Sequence, residues 1–201
     1  MTITLSVRSD TEQEQRLIMP GTYDWQQFEA LETLLVESRG LRITYLDGAI
    51  ELMTIGEPHE LIKKSLAMLL EAYLIEMGIE FIPVGNATRR SQAKGVSFEP
   101  DESYYLHKQK ANPDLAIEII LTSGNLQKLE KYRRFQIPEV WLWENAQLRV
   151  YALVDETDET YQEMDRSQLL PELDLALLVR CVQMPSRLEA MRLFREGVRH
   201  E

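Results

Sequence analysis

An α/β fold, with a mixed β-sheet flanked by helices, is predicted by three features of the chain. The stretches "YDWQQFEALETLLVES" and "PHELIKKSLAMLLEAYLIEMG" carry apolar residues at helical spacing. Asp47-Gly48 joins two β-prone runs, "LRITYL" and "AIELMTI", and this pair tolerates the positive φ of a tight hairpin. The run "DLAIEIIL" is short and rich in Ile and Leu, as a strand covered on both faces must be. Helices alternating with strands in this way build a sheet with helices packed on it.

The elements follow in order. Residues 1–20 are expected to be a loosely ordered lead-in, and residues 21–201 a single domain, since no repeat, low-complexity tract or Gly/Ser/Pro linker interrupts them. Trp25, Phe28, Leu31 and Leu34/Leu35 share one face of a first helix, which Gly40 follows. After the hairpin, Ile62, Leu66, Leu69/Leu70, Tyr73 and Met77 form the stripe of a second helix that Gly78 ends. Extended segments are expected around "EFIPVG" and "ESYYL", then at "DLAIEIIL". "NLQKLEKYRRFQ" reads as a helix stopped by Pro138, and "EVWLWEN", "LRVYALVD" and "TYQEM" as strands. The last part is expected to be helical, opening "PSRLEAMRLFREGVR" with Ser186 and Glu189 as a capping box.

Composition sets the outer bounds. The chain has 201 residues, 44% hydrophobic and 27% charged, enough for one ordinary core. No apolar stretch approaches the roughly 20 residues of a membrane-spanning helix, and the first residues lack the basic start and apolar block of a secretory leader. A cytoplasmic location is the expectation, since one cysteine, Cys181, permits no intrachain disulfide. One Cys and three His leave little for a zinc site, so any metal is expected on oxygen ligands. The net charge of −11 argues against a general polyanion-binding surface. Lys63-Lys64, Arg89-Arg90-Lys94 and Lys128/Lys131/Arg133/Arg134 are local basic clusters, each of which also fits a solvated helix face or strand end.

Glu118 stands in the middle of "DLAIEIIL". Alternation puts it on one face with Ala116 and Ile120, and Leu115, Ile117, Ile119 and Leu121 on the other. A buried, unpartnered carboxylate costs several kcal/mol, so this one must be neutral, paired with a base, or bound to a cation. Two Pro-Asp dipeptides offer a second carboxylate. Asp114 shares the face of Glu118 but lies about 13 Å away along a straight strand, too far to share a metal. Asp101, separated by "ESYYL" and a polar loop, is returned beside Glu118 if "ESYYL" pairs with "DLAIEIIL". Asp101 is therefore the better partner, and Asp114 a strand entry.

The succession "YLDGAIELM", "EPHELIKKSLAMLLEAY", "GVSFEPDESYYL", "PDLAIEIILTSG", "LQKLEKYRRFQIPEVWLWE" and "LRVYAL" resembles the Uma2 family within the PD-(D/E)XK nucleases. The likeness runs from about Thr22 onward and is densest between Asp47 and Trp143. It implies a restriction-endonuclease-like mixed sheet flanked by helices. It also implies that Asp101 and Glu118 are ligands of Mg²⁺ (or Mn²⁺), and that the substrate is DNA. The superfamily pattern would place a lysine two residues after Glu118, where Ile120 stands. The resemblance supplies it from the next helix as Lys128, four residues before Tyr132, with Lys131 the alternative one turn on. Superfamily members often use a carboxylate of the preceding helix, which makes Glu60 a further candidate and His59 a weaker one. Read without the resemblance, His59 falls on the apolar stripe as a core histidine, and Glu60 favours the helix N-terminus electrostatically.

The resemblance thus implies hydrolysis of a DNA phosphodiester at an Asp-Glu metal site with a displaced lysine, and a homodimer would suit cutting both strands. A non-catalytic module on the same fold is the principal alternative, favoured by the acidic charge and by Ile120. A metal-dependent hydrolase of a smaller phosphorylated substrate is a third reading, which a narrow pocket would favour.

Overall fold

A computed structural model of the chain describes residues 14–38, 40–121, 128–154 and 160–199, with Lys128 described by its backbone alone. Among the described residues eleven strands and five helices follow the expected alternation. β1 (Gln15–Ile18) precedes α1 (Trp25–Leu35), and β2 (Leu41–Leu46) and β3 (Ala49–Thr54) form the hairpin. α2 (Glu57–Glu76) leads to β4 (Phe81–Pro83), β5 (Arg89–Ser91), β6 (Val96–Phe98), β7 (Glu102–Leu106) and β8 (Leu115–Ile120). α3 (Lys128–Arg133) connects to β9 (Glu139–Glu144), β10 (Gln147–Val154) and β11 (Thr160–Met164), and α4 (Leu175–Gln183) and α5 (Arg187–Arg199) close the chain. Among the described residues no helix is long and apolar enough to cross a membrane.

Local chemistry explains the boundaries. Asp24 and Gln27 cap α1 reciprocally, each side chain accepting from the other's backbone N–H at 2.8 and 2.9 Å. Asp47 and Gly48 both take positive φ, 47° and 89°, as the two-residue hairpin requires. Pro58 in the first turn of α2 gives up an N–H that the helix does not use, and Gly78 ends α2 at φ 66°. Ser186 accepts the backbone N–H of Glu189 at the start of α5, one half of the expected capping box.

The strands divide between two sheets. The larger has the order β11-β10-β9-β8-β7-β4 and is antiparallel except at β8–β9, which run parallel with α3 in their connection. α2, α4 and α5 cover one face, where Leu66, Leu70 and Phe194 meet Ile117, Ile119, Trp141 and Trp143. On the other face Ala116, Ile120, Val140 and Leu142 pack on Leu129, Tyr132 and Phe135 of the α3 region and on Val96 and Phe98 of β6. β8 is thus central and buried along its whole length, and Trp141, Trp143 and Tyr104 are core residues.

The second sheet, β1-β3-β2-β6-β5, differs from the sequence expectation in two places. Residues 15–18, inside the stretch expected to be a loose lead-in, pair with β3 along its outer edge. β5 and β6 form a hairpin that turns at Gly95, φ 61°, and β6 pairs with β2. These elements are three or four residues long, too short for alternation to be visible. They form because β3 and β2 present open edges whose backbone groups need partners.

Candidate functional site

Glu118 lies at the middle of β8 on the face covered by α3 and β6, 4% exposed. Its cation is Lys131, whose Nζ reaches Glu118 Oε1 and is itself 7% exposed. The ammonium also sits 4.9 Å from the ring centre of Phe98 and 5.1 Å from that of Tyr132, so two aromatic faces complete its surroundings. Lys131 and Tyr132 reach this spot because α3 is laid over β8 by the crossover to β9.

Asp101 precedes β7 and continues its pairing with β8. The Glu102–Ile117 register sets it beside Glu118, and its backbone N–H donates to Ile117 O at 3.1 Å. Its side chain turns back onto β8, Oδ2 accepting the Ile119 N–H at 2.7 Å while Oδ1 takes the Arg42 guanidinium. His59 Nε2, fully buried on α2, lies 3.2 Å from the same Oδ2. Burial drives the Asp101 carboxyl toward neutrality, but the His59 ring, the Arg42 charge and the Ile119 N–H outweigh it, holding the group well below the usual carboxylate range.

Arg42 comes from β2 and is 9% exposed. Burial pulls its pKa down, but Asp101, then Glu118, then Glu99 outweigh that and raise it. The Tyr132 hydroxyl is raised by burial first and then by Glu118 and Asp101. One guanidinium and one phenol thus feel both carboxylates, and Asp101 and Glu118 form a single electrostatic site. The Tyr132 hydroxyl and both His59 ring nitrogens make no well-aligned hydrogen bond among the described residues.

The other candidates are distributed around this centre. Glu60 is half-exposed, binds Lys63 at 2.6 Å, and stands 3.8 Å from His59 Nδ1. The Lys128 side chain lies outside the described residues. Asp114 accepts the Leu106 N–H at 2.8 Å and closes the β7–β8 connection, apart from the site. Sequence reasoning overlooked Arg42 and Glu14; Glu14 Oε2 is 4.0 Å from His59 Nε2. The signal for Arg42 was the one that exposed Glu118, a charge inside a β-prone run. Glu14 carried none, because it lies in a stretch with no visible period.

The donor chemistry of this centre suits a hard divalent cation. Two carboxylates stand on neighbouring strands, and Mg²⁺ commonly takes only one or two protein carboxylates and fills its remaining positions with water or substrate phosphate. The site is nevertheless charge-balanced by Arg42 and Lys131. Among the described residues no group of three or more His, Cys, Asp and Glu is arranged to hold a metal. The two larger cavities given by the described residues lie elsewhere. One of about 630 Å³ is bordered by Lys64, Glu71, Glu102 and Arg195, and one of about 730 Å³ by Leu61, Ile120, Trp143 and Val182. Neither is lined by Asp101 or Glu118.

Comparison with curated proteins finds no match. A family model, Uma2, described as "Putative restriction endonuclease", matches residues 25–185, from the first residue of α1 to just beyond α4. That span contains both sheets apart from β1, together with Arg42, His59, Asp101, Glu118 and Lys131, and on this match the chain belongs to the Uma2 family.

Proposed function

We propose that this chain is a metal-dependent endonuclease that hydrolyses DNA phosphodiester bonds, with Asp101 and Glu118 as the ligands of Mg²⁺ or Mn²⁺. The observation that supports the reading is the pair of buried carboxylates, Asp101 and Glu118, side by side on neighbouring strands, with Lys131 on Glu118. When bound there, the cation supplies Lewis-acid polarisation of the phosphodiester.

The chain's own groups do the rest. The Ile119 N–H and His59 orient Asp101. Lys131 holds Glu118 and presents an ammonium to the negative charge that develops on phosphorus oxygens during in-line attack by water. Phe98 and Tyr132 keep bulk water from that ammonium, which strengthens its effect. In this reading Lys131, the alternative to Lys128 one turn on, takes the role that the family pattern gives to a lysine after the strand carboxylate. Its reach across from α3 explains how Ile120 can occupy the usual lysine position. Glu60 and His59 belong to the rim and the floor of the site respectively, and a homodimer in the cytoplasm would bring two such sites to the two strands of a duplex.

The test is nicking of supercoiled plasmid and cleavage of single-stranded DNA with Mg²⁺ or Mn²⁺. Cutting should disappear with EDTA, with Asp101→Asn and with Lys131→Met. Cutting that persists in Asp101→Asn would overturn the assignment. A second reading, a non-catalytic interaction module, is favoured by one observation: Arg42 and Lys131 already balance both carboxylates. It predicts no cutting with any metal and no loss of stability on chelation.

A further inference from the structure

Asp101 has no idle oxygen. Oδ2 is held by the Ile119 N–H, a backbone donor that cannot leave without breaking the β7–β8 edge, and has the His59 ring 3.2 Å away. Oδ1 is held by Arg42, a side chain that can move. The charges at the centre, two carboxylates against Arg42 and Lys131, already cancel. A dication added to that set would bring two positive charges into a buried place beside Arg42 and Lys131, and withdrawal of one resident cation would relieve the repulsion.

The surroundings decide which one. Lys131 sits against the contacting rings of Phe98 and Tyr132 and pairs with Glu118. Arg42 already lies against a second carboxylate, that of Glu99, which also accepts from Asn86 and Thr88. Its Nε lies 3.9 Å from Glu99 Oε2, and the Glu99 side chain is 34% exposed, toward solvent rather than core. A guanidinium keeps its charge at any working pH and can trade one carboxylate for another by rotating its own torsions.

We infer that Arg42 is a displaceable counter-ion, which holds Asp101 in the cation-free protein and yields Oδ1 to an incoming divalent cation by moving to Glu99. Such a role rests on Asp101 and Glu118 being the metal ligands and adds a regulated step: cation affinity is set by competition with a residue of the chain. At the rim, beside Glu99, the released guanidinium is the group placed to meet a phosphate.

Mn²⁺ binding by calorimetry tests this on the wild-type chain, Arg42→Gln and Asp101→Asn. Removing one like charge should tighten Mn²⁺ binding by roughly tenfold or more, by analogy with the 1–3 log units that a neighbouring charge imposes on a titration. Asp101→Asn should abolish it. Binding that is unchanged or weaker in Arg42→Gln overturns the inference and leaves the metal site standing. Binding absent from both wild type and Arg42→Gln overturns the inference and the metal site together. Because loss of Arg42 can impair folding, a second measurement uses the unaltered chain. Phenylglyoxal labelling of Arg42, followed by peptide mapping, should be slow without metal and several-fold faster with saturating Mg²⁺. A rate unmoved by Mg²⁺ in a chain that binds Mn²⁺ refutes the exchange.

Discussion

Replacing Lys131 by Met isolates the ion pair at the centre of the site. Both partners are buried, and Lys131 carries the cation seated on Glu118. Breaking a buried pair by removing one member typically costs about 3–5 kcal/mol, because the survivor is left charged and desolvated. For a chain of this length each kcal/mol moves Tm by roughly 2–4 °C, so Lys131→Met should lower Tm by about 6–20 °C in EDTA. Glu118→Leu should fall near the low end of that range, since the ammonium keeps the faces of Phe98 and Tyr132. The double variant, with apolar groups on both sides, should recover at least half of the larger loss, so that the two single losses are far from additive. The assay is thermal and urea unfolding of the four chains under identical salt. Single losses below about 1 kcal/mol that simply add would mean a solvated pair, and would refute a site built around a buried Glu118–Lys131 contact.

Glu139→Ala should cost about 3 kcal/mol in urea unfolding, at ~1–3 for each buried donor left unpaired. Its carboxylate accepts both the Trp141 indole N–H and the Ser167 hydroxyl at 2.6 Å, and a neutral outcome would mean those donors find other partners. Gly48→Ala should cost more than about 1 kcal/mol: φ is +89° and the added Cβ would stand 2.5 Å from Thr22 Cγ2, so a silent substitution would contradict the hairpin geometry. Arg134 ties the β2–β3 turn to α3 by bonding Asp47 at 2.7 Å and Glu130 at 3.0 Å. Asp47 is lowered chiefly by its bond from Arg134, and Glu130 chiefly by Arg133 and then, against burial, by Arg134. Folded values below the unfolded ones mean stability that is present above about pH 4 and lost as pH falls through the depressed values. The Tm gap between wild type and Arg134→Gln should therefore narrow below about pH 4, and a gap constant with pH would remove Asp47 and Glu130 as its source.

Glu118 was legible because alternation in an apolar run makes one charge conspicuous, and Asp101 because a Pro-Asp one strand earlier is the partner that antiparallel return brings alongside. The cation beside Glu118 was harder: Lys128 and Lys131 both lie between the same two strands, and the laying of α3 across β8 pairs Lys131 with Glu118. β1, β5 and β6 escaped notice because three or four residues carry no period. Their pairing answers the open edges of β3 and β2, which the chain acquires only after the hairpin has formed.

The sequence by itself determined the order of the longer helices and strands, the central buried strand, the hairpin at Asp47-Gly48, and the presence of the two carboxylates. Each depends on near neighbours through periodicity, turn chemistry or the cost of burying charge. Tertiary structure alone decided the division into two sheets, the seating of Lys131 on Glu118, and the delivery of Arg42 from β2 to Asp101, 59 positions along the chain. Such contacts join residues that share no local pattern, and they become definite only when packed elements leave a buried charge one cation within reach.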